Sequence, residues 1–297
     1  MFDATGFPIS FAQLHYDNTP LPFGIIPDHF IYRPTKADFS YDGFAYQASS
    51  SLVQLNGGSG FPGSWNAGGF NAVRTDFVIG SVSLSHLNLQ TGGLSVSTTE
   101  DNTINGIQRA IPNSFSSEGT HFLSFLIRRD NTQGAFNGFG GLYLDGAAND
   151  LFIGKPGEIN ATGDQWVLEN RGGGGLISSG VSAVVGATTL LVLKMERTAI
   201  GSDSFSLFVN PELGNANPRP DAVKSDLNLG SINNVVLYTT GAYTYDEIRF
   251  GDSLQQVLPI SAVPESSSVF LVLLVSAIGV YCRFKNVFLV GREWAPL

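Results

Sequence analysis

Asp145, Asn149 and Asp150 fall close together, with Gly146 among them. Calcium takes about six to eight oxygen ligands from clustered carboxylates and carbonyls. These three residues are therefore weak calcium candidates, against the plainer reading that Asp, Asn and Gly simply form a turn. A second acidic pair, Asp246 and Glu247, lies near the end of the body, and Glu247 and Arg249 are expected to pair on a sheet surface. His15, His29, His86 and His121 are too scattered for a zinc site. Cys282 is the single cysteine, so no disulfide and no cysteine-based metal site forms within one chain. The glycines at 172–175 lack the Gly-Lys-Ser/Thr ending of a phosphate-binding loop and read as a hairpin turn. No Gly-x-Ser-x-Gly elbow occurs, nor the Glu-x-Asp-x-x-Glu run of many sugar-cleaving sandwiches. The catalytic and cofactor assignments are accordingly empty, and the body is expected to be non-enzymatic. Trp65, Trp166, Tyr238, Tyr243 and Tyr245 could stack on sugar rings, but large aromatics more often fill the space between sheets.

The elements that would position these groups read as strands. Apolar runs recur at 77–79, 121–128, 141–145, 151–153, 165–169, 189–196, 204–210, 235–238 and 243–250, bounded by Gly, Asn, Asp or Pro. Three of them alternate. Leu191, Leu193 and Met195 oppose Val192, Lys194 and Glu196; Phe205, Leu207 and Val209 oppose Ser204, Ser206 and Phe208; Ile248 and Phe250 oppose Glu247 and Arg249. Such alternation puts one face on a core and one toward solvent, as in antiparallel sheets. The body shows no long helical stripe, so the fold class is all-β, a two-layer antiparallel sandwich.

Composition agrees. The 297 residues are 43% hydrophobic and 14% charged, with 35 Gly and 22 Phe. Disorder needs fewer apolar residues than this. The net charge is −9, and the residues before Pro264 carry 13 basic against 23 acidic side chains. An acidic body excludes nucleic acid as a partner, since phosphates need a basic face.

Several short pieces carry a family likeness. They are Tyr41-Asp42-Gly43-Phe44-Ala45-Tyr46, Asn56-Gly57-Gly58-Ser59-Gly60-Phe61, Leu151-Phe152-Ile153-Gly154-Lys155-Pro156, Phe208-Val209-Asn210-Pro211 and Tyr245-Asp246-Glu247-Ile248-Arg249-Phe250-Gly251. In this order they resemble the concanavalin-like (laminin-G-like) sandwich over about 220 residues. The resemblance implies a jelly-roll and no assigned activity.

The tail reads differently. Val263, Pro264, Glu265 and Ser266 precede a chargeless apolar run over 269–282, then Arg283 and Lys285. This resembles the PEP-CTERM sorting signal, with Ser266 where the motif has its second proline. The resemblance implies sorting by an exosortase-like membrane enzyme. A helix over 269–282 spans roughly 21 Å; continued to Val290 it comes close to the roughly 30 Å of a bilayer core. The basic residues act as a membrane stop and place the C-terminal end in the cytoplasm, with the body outside. The expected organisation is an irregular segment over 1–39, whose start could be mis-assigned because it lacks an export signal. A sandwich over 40–260, a Ser/Pro linker over 261–268, a transmembrane helix with its stop over 269–290 and a tail over 291–297 follow. The expected function is that of an exported envelope protein, structural or adhesive in an extracellular matrix. The alternative is a carbohydrate-binding or carbohydrate-cleaving module at the cell surface, with polysaccharide as partner. Replacing Leu273 and Leu274 by Asp should abolish membrane association, at about 2.5–3.5 kcal/mol per buried charge. Recovery of the intact tail in a soluble fraction would contradict the sorting reading.

Overall fold

The computed structural model describes residues 39–99, 103–131, 138–157, 164–171 and 174–261. Fifteen strands follow in chain order: β1 Phe39–Asp42, β2 Asn66–Ala67, β3 Phe77–Ile79, β4 Val96–Thr98, β5 Asn105–Ala110, β6 Gly119–Arg129, β7 Gly140–Gly146, β8 Asp150–Lys155, β9 Gln165–Asn170, β10 Gly174–Ser182, β11 Thr188–Arg197, β12 Asp203–Val209, β13 Ala222–Leu227, β14 Ile232–Thr239 and β15 Tyr243–Gly251. One short helix, α1, covers Leu254–Val257 and is closed by a capping box between Ser253 and Gln256.

The strands form two antiparallel sheets. The eight-stranded sheet runs β13-β12-β11-β6-β15-β4-β3, with β1 also on β15; the seven-stranded sheet runs β10-β9-β8-β7-β14-β5-β2. Their facing sides share one core. It holds Leu191, Leu193, Met195, Phe205, Leu207 and Val209 from one sheet and Leu142, Leu144, Leu151, Ile153, Val235 and Leu237 from the other. The alternation in β11 and β12 therefore predicts the inward face correctly. Trp65, Trp166, Tyr243 and Tyr245 are core residues too.

The opposite face departs from expectation. Val192 and Phe208 are buried, not solvated, because Leu84, Leu89, Val257 and Leu258 cover them as a second apolar cluster. Glu247 and Arg249 do pair, but inside the protein, both at most 3% exposed. The cause is a bulge in β15. Thr244 and Tyr245 pair with β4, whereas Ile248 to Gly251 pair with β1. At that handover the register on β6 shifts between Asp246 and Arg249, and Glu247 takes a left-handed φ of 57°. An extra residue in a bulge re-aims its side chains.

The re-aimed groups clasp the covering segment over 81–94. Asp246 Oδ2 lies 2.7 Å from both the Leu84 amide and the Ser83 hydroxyl. Gly92 N–H donates to Glu247 at 2.6 Å, and Arg249 donates to the Gln90 carbonyl at 2.6 Å. Without these bonds the segment would leave Leu126, Leu190 and Val192 wet.

Burial pushes the Asp246 carboxyl up to about 8. The Ser83 hydroxyl and the Leu84 and Glu247 amides all donate to this carboxyl and favour its charged form, but burial, with the charge of Glu247, outweighs them. The sign follows. The folded pKa lies above the unfolded value, so the contribution is complete below about pH 4 and is lost as pH rises through about 8. Melting temperature should fall between pH 5 and pH 9, and Asp246→Asn should flatten that slope. An equally steep slope in the variant would assign the titration to another group.

The predicted transmembrane helix and its stop, Arg283 and Lys285, and the sorting motif lie outside the described residues. Among the described residues no helix is long and apolar enough to cross a membrane.

Candidate functional site

The outer side of the seven-stranded sheet carries a third apolar cluster, separate from the core. Tyr143, Phe152, Val167, Val236 and Tyr238 form it, with Phe70, Ala72, Ile104, Phe139 and Leu176 packed around. Register explains how residues from five strands meet there. One rung across the sheet reads Gln108–Val236–Tyr143–Phe152–Glu169. The next reads Gly106–Tyr238–Gly141–Gly154–Val167. On the other side of the first, Asn234 faces Asp145, which faces Asp150. Rungs lie about 7 Å apart along the strands and strands about 4.8 Å apart across them.

The glycine rung has a steric reason. A Cβ at Gly141 or at Gly154 would lie 2.7 Å from the Phe152 ring and 2.4 Å from a backbone carbonyl. Both must be glycine for Phe152 to lie flat across them. The rung is crossed at one end by the loop over 68–72, where Gly68, Gly69 and Phe70 all have positive φ. A Cβ at Gly69 would sit 2.5 Å from Val236 Cγ1, so only glycine lets this backbone touch the sheet.

That contortion places Phe70 on the tyrosines. Its ring meets Tyr143 edge-on at 4.8 Å and Tyr238 at 5.7 Å, while Phe139 stacks on Tyr238 at 5.3 Å. The Arg171 guanidinium lies 4.0 Å over the Phe70 ring. Arg171 also reaches Asp150 at 3.4 Å. Asn234 Nδ2 donates to Asp145 at 2.7 Å, and Gly146 N–H donates to Asp150 at 3.2 Å.

Electrostatics follow from this crowding. Burial, then the charge of Glu169, holds the Tyr143 phenol well above its ordinary range, so it is a neutral hydrogen-bond donor. Burial, then Asp145, pushes the Asp150 carboxyl up. Tyr143 and Tyr238 are themselves buried, at 6% and 8% exposed; what the face presents is the half-buried Phe70 and Phe139 rings with planar amides and carboxylates around them.

Of the calcium candidates, Asp145 and Asp150 are brought opposite each other on β7 and β8. Asn149 turns away and donates to the Asn228 carbonyl at 2.6 Å. Among the described residues no group of three or more His, Cys, Asp or Glu is placed to hold a metal ion. Of the aromatics singled out in the sequence, only Tyr238 belongs to this face. Tyr143, Phe70 and Glu169 escaped notice. A signal did exist: Tyr143 and Phe152 lie between core-facing leucines and isoleucine, so β7 and β8 are apolar on both sides.

No family model matches the chain. No curated protein matches it either. Solved structures similar to it include endo-β-1,4-glucuronan lyase from Trichoderma reesei, at 12% identity over 67% of this chain and 98% of that one, with a TM-score of 0.42. Alginate lyase Aly36B matches at 15% identity over 72% and 96%, with a TM-score of 0.43. The Emp46p carbohydrate recognition domain matches at 9% identity over 60% and 89%, with a TM-score of 0.41. At these values no residue and no activity transfers from them to this chain. The expectation of a non-enzymatic body is nevertheless corrected, because proteins named as lyases stand among the similar structures.

Phe70→Ala should lower the Tyr143 pKa by admitting water, and Glu169→Gln should lower it less, following the order of the two causes. Titration of ring-labelled tyrosine by NMR measures both. An unchanged Tyr143 resonance in each variant would show that neither group shields it.

Proposed function

We propose that the sandwich binds a polysaccharide on the outer face of its seven-stranded sheet, with the Phe70 ring, seated on Tyr143, at the centre. One observation carries this reading: an aromatic cluster has been assembled outside the core and is rimmed by half-buried polar groups. Apolar Phe70, Ala72, Ile104, Phe139 and Leu176 pack around the cluster, and beyond them the rim is polar, with Gln108, Asn234, Asp145 and Asp150 half-buried and Arg171 exposed. Sugar rings present apolar C–H faces that stack on aromatics, and hydroxyl edges that bond to planar amides and carboxylates. Five strands give a face roughly 19 Å wide, which suits an extended chain better than a single small molecule.

A second reading, cleavage of the bound chain, is supported by the pairing of two carboxyl groups, Asp150 facing Asp145 across β7 and β8, with Asp150 pushed up by burial and then by Asp145. A pair of carboxyl groups is the residue type that glycosidic hydrolysis uses. The envelope location and the exosortase-like partner rest on the sequence of residues 263–285 alone.

A glycan array probed with the full-length chain tests the proposal. Phe70→Ala should reduce binding by roughly two- to tenfold, since an aromatic contact contributes about 0.5–1.5 kcal/mol beyond its buried area. Leu87→Ser, on the exposed loop of the other sheet, should leave binding intact. Equal binding by both folded variants would move the site elsewhere. Release of new reducing ends from a retained glycan would favour cleavage.

A further inference from the structure

We infer that the glycan taken by this face is a neutral polysaccharide, and that chains carrying carboxylates are disfavoured there. The inference rests on the polysaccharide reading and narrows its substrate class.

The argument is the sorting of charge between the two sides of the same strands. β5 and β8 each carry a cation, Arg109 and Lys155, and both point inward, at most 1% exposed. Arg109 is bonded to Asp42, and Lys155 lies 3.2 Å from Asp164. Neither is available to a ligand on the outer face. The outward positions of β7, β8 and β9 carry Asp145, Asp150 and Glu169. Among the described residues the cations near the rim are Arg171, held between Asp150 and the Phe70 ring, and Arg74, paired with Asp76 at 3.6 Å. Of the other described lysines, Lys194 lies in β11 of the other sheet, and Lys224, from β13, is buried, bonded to the Gly175 carbonyl at 2.6 Å and paired with Asp226 at 2.8 Å.

Such a surface suits hydroxyls and repels anions. A carboxylate is an acceptor with about four lone-pair sites. Asp145 accepts from Asn234, and Asp150 from Gly146 and Arg171, which leaves acceptor capacity on both for sugar hydroxyls. A uronate brought to the same rungs would meet like charge at close range, and among the described residues the nearby cations Arg171 and Arg74 are already paired with Asp150 and Asp76. Elimination chemistry at a uronate would further need positive groups where its charge develops. The outward rungs supply acids in those places.

The test is calorimetric titration of the full-length chain with laminarin and galactomannan as neutral probes, and with sodium alginate and polygalacturonate as anionic ones. Binding to a neutral probe is expected to be at least about tenfold tighter than to either polyuronate, and insensitive to salt. Salt should slightly relieve the rejection of polyuronate, because screening weakens repulsion. The double variant Asp145→Asn with Asp150→Asn should narrow the discrimination while keeping neutral binding measurable. Tighter binding of polyuronate, weakened by salt, would overturn this inference and leave polysaccharide binding standing. Unchanged discrimination in the folded double variant would overturn its electrostatic basis. Heat from none of the four probes would overturn both.

Discussion

The buried pair Asp42–Arg109 is the constraint from which much of the sandwich follows. Asp42 belongs to β1 in one sheet and Arg109 to β5 in the other, and both are essentially inaccessible to water. A charge in that position is costly unless every polar atom is matched. It is matched. Asp42 Oδ2 accepts from Arg109 at 2.5 Å, Tyr46 at 2.8 Å and Trp65 at 2.9 Å, while Oδ1 accepts from the Phe44 amide. Arg109 spends its remaining donors on the carbonyls of Gly57 and Gly63 and on the Asn56 side chain. The irregular stretch over 43–66 is thus wrapped around one ion pair, and its glycines and turns exist to bring carbonyls to a guanidinium. The same pair fixes the facing of β5. With Arg109 inward, Gln108 must point outward, into the rung that ends at Glu169.

The two outer faces of the sandwich are finished in different ways, and the difference makes one of them a candidate site. On the eight-stranded sheet, the β15 bulge turns Asp246 and Glu247 toward the segment over 81–94 and holds it down with directed hydrogen bonds. The result is an apolar cluster sealed by Leu84, Leu89 and α1. On the seven-stranded sheet the covering centres on one aromatic ring, Phe70, delivered by a loop with three residues at positive φ and flanked by Ala72, Ile104, Phe139 and Leu176. Beyond these the groups are polar and at least partly exposed. A seal and a binding surface use the same currency of apolar burial; what separates them is the chemistry of the rim.

Much of the core was legible in the sequence because β11 and β12 alternate cleanly, and inward leucines and phenylalanines leave little doubt about a buried face. β5, β10 and β13 were not, since Asn-Gly-Ile-Gln-Arg-Ala, the Gly/Ser-rich run from Gly174 and Ala-Val-Lys-Ser-Asp-Leu look like turns or loops one window at a time. Their strand character comes from neighbours across the sheet. Glycine in β10 was read as a hairpin for the same reason. The buried Glu247–Arg249 pair was misread as a surface pair because no local pattern announces a bulge. It arises where β15 changes partners, which is a property of chain segments about 150 and about 210 residues away.

The candidate site was the least legible part, and the reason is physical. Its members come from β5, β7, β8, β9, β14 and a loop, and only the registers bring them into rungs. What a single strand does reveal is which side its charges occupy. In β8, Asp150 and Lys155 are five residues apart, so alternation places them on opposite faces. In β5, Arg109 and Gln108 are adjacent and must also diverge. The strands therefore send these cations inward, Arg109 to the buried Asp42 and Lys155 to the half-exposed Asp164, and acids and amides to the exterior. A surface built in this way has its electrostatic character set by strand parity. Changing it to accept anions would mean introducing new basic side chains outward rather than freeing the existing ones, because Arg109 and Lys155 hold the interior together.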